Sequence, residues 1–151
     1  MIAINPYFKI VSQARNEAIK YLRRNLKKER VPLGKEIDAV VRNYLQQQGQ
    51  AERFLHGAGH SLGFVSPHGR RVRINQRGKK PIPLNVGYTI EPGIYFNDKP
   101  PHSSHKNYSK RISSNIECGS KFGMRSEINF YIDNDFKLII TSEIQKKIIK
   151  I

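Results

Sequence analysis

Along the first fifty residues, apolar side chains recur at three- and four-residue spacing. Tyr7, Ile10, Val11, Ala14, Ala18, Tyr21 and Leu22 fall on one helical face. Pro6 suits the first helical position, where its missing N–H costs nothing. The basic stretch Arg23 to Arg30 suits a helix C-terminus, and Pro32 ends the helix. A second helix takes Ile37, Val40, Val41, Tyr44 and Leu45 on one face and finishes near Gly49. From residue 52 the periodicity is lost, and short extended runs alternate with glycines. Tyr88 to Phe96, Ile128 to Asp133 and Phe136 to Thr141 read as strands, the last two joined by a turn at Asn134-Asp135. Residues 97–121, rich in Pro, Ser, Asn and Lys, read as a long exposed loop, and Glu143 to Ile151 as a short helix. Helices followed by an antiparallel sheet predict an α+β domain, single over residues 1–151.

Composition narrows the class. The 151 residues are 38% hydrophobic and 9% aromatic, which is incompatible with a wholly disordered chain. A chain of this length buries roughly 68–70% of its unfolded surface. No apolar run reaches the roughly 18 residues that a membrane span needs, and the N-terminus lacks the pattern of a signal peptide. The single cysteine, Cys118, excludes an internal disulfide framework and fits a reducing compartment, so a soluble cytoplasmic protein is expected. Twenty-seven basic against 12 acidic side chains give a net charge of +15. The excess is spread evenly, at +6, +5 and +4 over successive thirds, without a basic arm. Its densest run, Arg70, Arg71, Arg73, Arg77, Lys79 and Lys80, lies on a loop-like stretch with Gly78, Pro81 and Pro83. A generally basic, solvated surface accounts for this pattern better than nucleic-acid binding does.

Three short segments carry polar groups that a plain strand or turn would not need. His56-Gly57-Ala58-Gly59-His60-Ser61-Leu62-Gly63 sets two imidazoles beside backbone that a ligand can approach closely. Thr89-Ile90-Glu91-Pro92-Gly93-Ile94-Tyr95 holds a carboxylate within an apolar run, and Gly123-Met124-Arg125-Ser126-Glu127 brings another into a strand. One histidine and two glutamates form an N/O ligand set suited to Mn, Fe, Co or Zn. Each segment alone is a weak signal, since lone histidine pairs and strand-end glutamates are more often structural.

Taken in order, and extended to Leu84-Asn85-Val86-Gly87 and the helix pair with Gly34-Lys35-Glu36-Ile37-Asp38, the three segments resemble the pita-bread-fold metallopeptidases. The resemblance is closer to X-Pro aminopeptidases and prolidases than to methionine aminopeptidases. It implies a curved antiparallel sheet after the two helices, matching the C-terminal portion of that fold, and a peptide substrate with proline at the second position. It further implies that His60, Glu91 and Glu127 are metal ligands, with Glu91 also handling the proton of the attacking water. His56 and His68 would be substrate-side histidines, and Tyr95 and Arg125 would hold the carboxylates in place. The cofactor would be a divalent metal, Mn first with Co, Zn and Fe as alternatives, in a dinuclear site with ions about 3.5–4 Å apart.

The departures concern completeness. The family's site uses two further aspartates ahead of the helix pair, whereas residues 1–55 hold only Asp38, which reads as a solvated helix residue. The chain therefore reads as an incomplete pita-bread fold, weak or inactive alone. The missing half would come from an N-terminal partner or a homo-oligomer, leaving an apolar edge on the helix pair. The alternative is a non-catalytic module binding peptide, protein or nucleic acid. His68 follows Pro67 without the acidic residue that often accompanies it in the family. His102, His105 and Cys118 have no familiar zinc spacing and read as loop residues.

Overall fold

A computed structural model of the chain describes residues 4–96 and 122–148. The long polar stretch with His102, His105 and Cys118 lies outside the described residues.

Helix α1 spans Ile4–Leu26, with Pro6 in its first turn, and α2 spans Gly34–Gln47. The two helices pack through the faces that the periodicity marks out: Val11, Ala14, Ala18 and Leu22 meet Ile37, Val41 and Leu45, all fully buried. Burial of each Val, Leu or Ile here is worth about 1.5–3 kcal/mol. The Glu36 carboxylate accepts the Leu33 N–H at 2.8 Å and pairs with Arg30, fixing the start of α2. Past its end, Gly49 takes φ +69°, which a glycine adopts without strain.

Strand β1 is Tyr88–Ile90, β2 Gly93–Phe96, β3 Phe122–Arg125, β4 Ile128–Ile132 and β5 Leu138–Ile140. They form an antiparallel sheet of order β1-β4-β5 and a hairpin pair β2-β3. The sequence suggests one strand from Tyr88 to Phe96, whereas the structure interrupts it at Glu91-Pro92. Pro92 has no N–H for the ladder, yet its carbonyl still accepts the Ser126 N–H at 3.1 Å. The register runs through the break, with Ile90 opposite Ile128 and Gly93 opposite Arg125, so Glu91 stands opposite Glu127. β4 alternates buried and half-buried positions, its core face being Ile128, Phe130 and Ile132.

On the free edge of β1 runs an irregular segment carrying the two histidines. The Thr89 N–H donates to the His60 carbonyl at 2.9 Å and the Glu91 N–H to the Ala58 carbonyl at 2.8 Å. A Cβ on Gly59 would collide with the Thr89 carbonyl, so glycine is required for this approach. Helix α1 reaches the outer hairpin through Tyr7, whose ring meets that of Phe96 at 4.7 Å, and Phe96 stacks on Phe122 at 4.4 Å.

Three expectations are corrected. Asp38 is not solvated but fully buried, because α2 turns the Ile37-Asp38-Val41-Leu45 stripe inward. The segment after β5 is not helical over its described residues 143–148; Ile144 and Ile148 pack on the core as irregular chain. The large exposed apolar groups among the described residues are Leu55, Leu62, Phe64 and Val65, on the histidine segment and the turn after it, not on the helix pair. No described helix is long and apolar enough to cross a membrane.

Candidate metal centre

The site lies where the paired strands break. Glu91, 8% exposed, sits at the end of β1 with its carboxylate held by two side chains and approached by a third. Arg125 donates to its Oε2 at 2.6 Å, the Thr89 hydroxyl to Oε1 at 3.4 Å, and His60 Nε2 approaches Oε1 at 3.2 Å. Thr89 and Glu91 share a sheet face because they are two residues apart. Thr89 also accepts the His60 N–H at 3.1 Å, locking the histidine segment to the strand.

The ring of His60 is oriented by Nδ1, whose proton is taken by the Ser61 carbonyl at 2.9 Å. In the neutral imidazole Nε2 then carries the lone pair, and it faces a carboxylate oxygen. Two lone-pair atoms at that distance repel unless a proton or a cation lies between them. The His68 ring lies over that of His60, with centroids 4.2 Å apart.

His56 stands on the other side of the break. Its Nδ1 donates to the Gly57 carbonyl at 2.7 Å, leaving Nε2 to accept the Tyr95 hydroxyl at 2.8 Å. Burial raises the pKa of Tyr95, an effect opposed by Arg125 and reinforced by Glu91 and Glu127, so its hydroxyl stays a donor. Glu127 lies across the ladder from Glu91, is exposed, and makes no hydrogen bond or ion pair with the described residues. Like charges directly opposite across a ladder are unfavourable. Arg125 relieves one of them and leaves the other.

The structure thus brings His60, His68, Glu91 and Arg125 together, pairs His56 with Tyr95, and sets Glu127 opposite Glu91. Among the described residues, no three His, Cys, Asp or Glu side chains converge closely enough to hold an ion. The donor types nevertheless suit a divalent ion, since an imidazole and two carboxylates are hard-to-borderline ligands.

Sequence reasoning missed Thr89, Asp38 and Arg15 as supports of this site. Asp38 accepts the Ala58 N–H at 2.9 Å and pairs with Arg42 at 2.7 Å, and Arg42 reaches the His56 carbonyl at 2.6 Å. The signal was present: Asp38 sits within the apolar stripe of α2 and four residues before Arg42. Arg15, 2% exposed, donates to the Ser126 hydroxyl at 2.5 Å and to the Gln145 carbonyl at 3.3 Å.

Residues 4–134 match metallopeptidase family M24. The chain belongs to this family. A relative, an Xaa-Pro dipeptidase of Pyrococcus horikoshii, is 30% identical over 89 residues, which is 59% of this chain and 23% of that protein. The solved structure of a Pyrococcus horikoshii dipeptidase superposes with a TM-score of 0.67 at 22% identity, covering 93% of this chain and 31% of that one. The N-terminal domain of a FACT complex subunit from chickpea superposes with a TM-score of 0.64 at 12% identity, covering 93% of this chain and 28% of the other. This M24 chain therefore has the pita-bread architecture in part and spans about a quarter of the length of that curated relative. Fold likeness alone reaches proteins with different names, so function has to be argued from the site.

Proposed function

We propose that this M24 chain supplies the histidine- and glutamate-bearing side of a metallopeptidase site acting on peptides with proline at the second position. The observation that carries the reading is the near-buried His60–Glu91 pair, with Nε2 and Oε1 only 3.2 Å apart and Glu127 opposite. In this reading His60, Glu91 and Glu127 hold divalent metal, with Mn²⁺ the first candidate. When bound, the metal polarises the scissile carbonyl and acidifies a water.

The chain's own residues do the rest. Glu91 Oε1 takes the proton of the attacking water. Arg125 and Thr89 keep that carboxylate from rotating away. His56, with Nδ1 committed to Gly57 and Nε2 to the Tyr95 hydroxyl, is a fixed wall on the substrate side, and His68 lines that side against His60. Within these 151 residues the aspartate nearest the histidine segment, Asp38, is consumed by Ala58 and Arg42. Among the described residues a second ion therefore lacks further carboxylates, and we expect the chain alone to bind one ion and to hydrolyse X-Pro peptides weakly or not at all.

The test is a calorimetric Mn²⁺ titration of the folded chain and of Glu91→Gln, followed by X-Pro dipeptide hydrolysis. One saturable site, lost in the variant, is expected. A folded chain that takes up no Mn²⁺, Co²⁺ or Zn²⁺, or binding untouched by Glu91→Gln, would overturn the ligand assignment. Turnover at the rate of intact enzymes would overturn the incompleteness.

A further inference from the structure

The densest basic run in the sequence folds as an irregular loop. It borders an open cleft of about 450 Å³, with Arg42 on the inner wall and Arg73, Arg77, Lys79 and Lys80 around it. That volume lies in the range of small-ligand clefts. No carboxylate lines the cavity, and among the described residues none of these four outer cations makes an ion pair. Arg42 is spent on Asp38 and on the His56 and Phe54 carbonyls, so it is a fixed wall and the free donors are the outer four.

The loop is held in this shape. The Gly34 N–H donates to the Lys80 carbonyl at 3.2 Å and the Lys35 N–H to the Gly78 carbonyl at 2.8 Å, while Ile74 exchanges both backbone hydrogen bonds with Gly59. Gly34 and Gly78 meet backbone to backbone, and a Cβ on either would strike the Arg73 carbonyl. Four like charges therefore border one concavity, and none of its described lining residues is an acid that would neutralise them. An anion with several charges in line is the ligand that relieves this.

We propose that the Arg73–Lys80 cleft is a binding site for a small anion of linked phosphate groups. Two arginines offer forked donors to phosphate oxygens and two lysines add point charges. Asn75 and Gln76 add neutral polar groups to the lining. No aromatic side chain lines the cleft, so it has no platform for base stacking, which favours a small anion over a single strand of nucleic acid.

The probe is sodium tripolyphosphate, titrated calorimetrically into the chain in metal-free buffer with EDTA, since polyphosphate chelates divalent ions. Saturable one-site binding that weakens with added salt is expected. Affinity should fall at least tenfold in Arg77→Gln/Lys79→Gln, while Arg23→Gln/Lys27→Gln, a pair of exposed cations at the far end of α1, should leave it unchanged. Glu91→Gln should also leave it unchanged, so this proposal stands or falls apart from the metal centre. Thermal unfolding of each variant checks that it folds. Absence of saturable binding, or equal loss in both double variants, overturns the site. An oligodeoxythymidylate binding more tightly than tripolyphosphate, through the same two residues, overturns the small-anion assignment in favour of a nucleic-acid backbone.

Discussion

Glu91 and Glu127 occupy mirror positions at the break in the strand ladder, yet the protein treats them in opposite ways. Around Glu91 every neighbour is fixed: Arg125 and Thr89 hold the carboxylate, His60 is oriented by Ser61, and Ala58 takes the Glu91 N–H. Behind that shell Asp38 and Arg42 hold the histidine segment against α2. Around Glu127 the support stops at the backbone. Arg15 secures the preceding residue, Ser126, from inside the core, while the Glu127 side chain stands in solvent without a partner among the described residues. A carboxylate tied by the protein serves the fold and the site together. One left untied contributes to stability only when something outside the described residues binds it.

The largest effect expected from this contrast falls on Asp38. Asp38→Ala leaves the Ala58 N–H and the Arg42 guanidinium without their buried acceptor, a situation that typically costs about 3–5 kcal/mol. Asp38→Asn keeps one acceptor oxygen and should lose less. Urea denaturation measures both. A loss below about 1 kcal/mol for Asp38→Ala would mean that the Glu91 side is not held from behind, and the comparison would fail.

Alkaline unfolding gives the next effect. Tyr88, in β1, is fully buried; burial pushes its pKa up to about 12 from 10.0, and its hydroxyl has no hydrogen-bond partner among the described residues. A raised folded-state pKa means that the unfolded chain loses this proton first. Its stabilising contribution is therefore complete below pH 10 and lost as pH rises toward 12, by about 2.5 kcal/mol over two units. Tyr88→Phe should flatten that decline and leave neutral-pH stability equal or higher. An unchanged alkaline slope would show that Tyr88 ionises freely in the folded chain.

The physical reasons for what the sequence revealed differ between the two sides of the site. The helix pair was legible because its apolar spacing and its packing are one fact: Val11, Leu22, Ile37 and Leu45 are buried where the pattern placed them. Three ordered motifs likewise brought out the family and the partial fold. Asp38 was misjudged because a helix pattern records which face is apolar, and a single acid within that face looks like an exception until its buried partners are known. The strand break at Pro92 was missed because the apolar run continues across it; only the absent N–H betrayed it. The region after β5 looked helical from composition, but Ile144 and Ile148 find the core from irregular chain. Nor did spacing disclose that Glu91 and Glu127 face each other, since 36 residues separate them and only the register Ile90–Ile128 and Gly93–Arg125 aligns them.

A smaller change follows from Glu91→Gln without metal. The amide keeps the shape of the carboxylate and one acceptor oxygen for Arg125, and Arg125 is half-exposed, so solvent screens most of the lost attraction. About 1 kcal/mol of stability should disappear, read as a lower urea midpoint with an unchanged slope. No loss at all would place Glu91 with Glu127 as a carboxylate that the protein does not use for its own stability.

The smallest expected stability change is the one that decides the contrast. Glu127→Ala in metal-free buffer should alter stability by less than about 0.5 kcal/mol, as for surface substitutions without partners; removing one of two facing carboxylates could even stabilise the ladder slightly. The same variant should weaken Mn²⁺ binding at least tenfold, measured by the calorimetric titration used for Glu91→Gln. The two readings must be taken together. A residue whose loss costs nothing to the empty fold but much to the loaded one is kept for its ligand. If instead Glu127→Ala unfolds the metal-free chain and leaves Mn²⁺ affinity intact, the facing carboxylates belong to the architecture of the strand break, and the ligand set must be sought elsewhere in the chain.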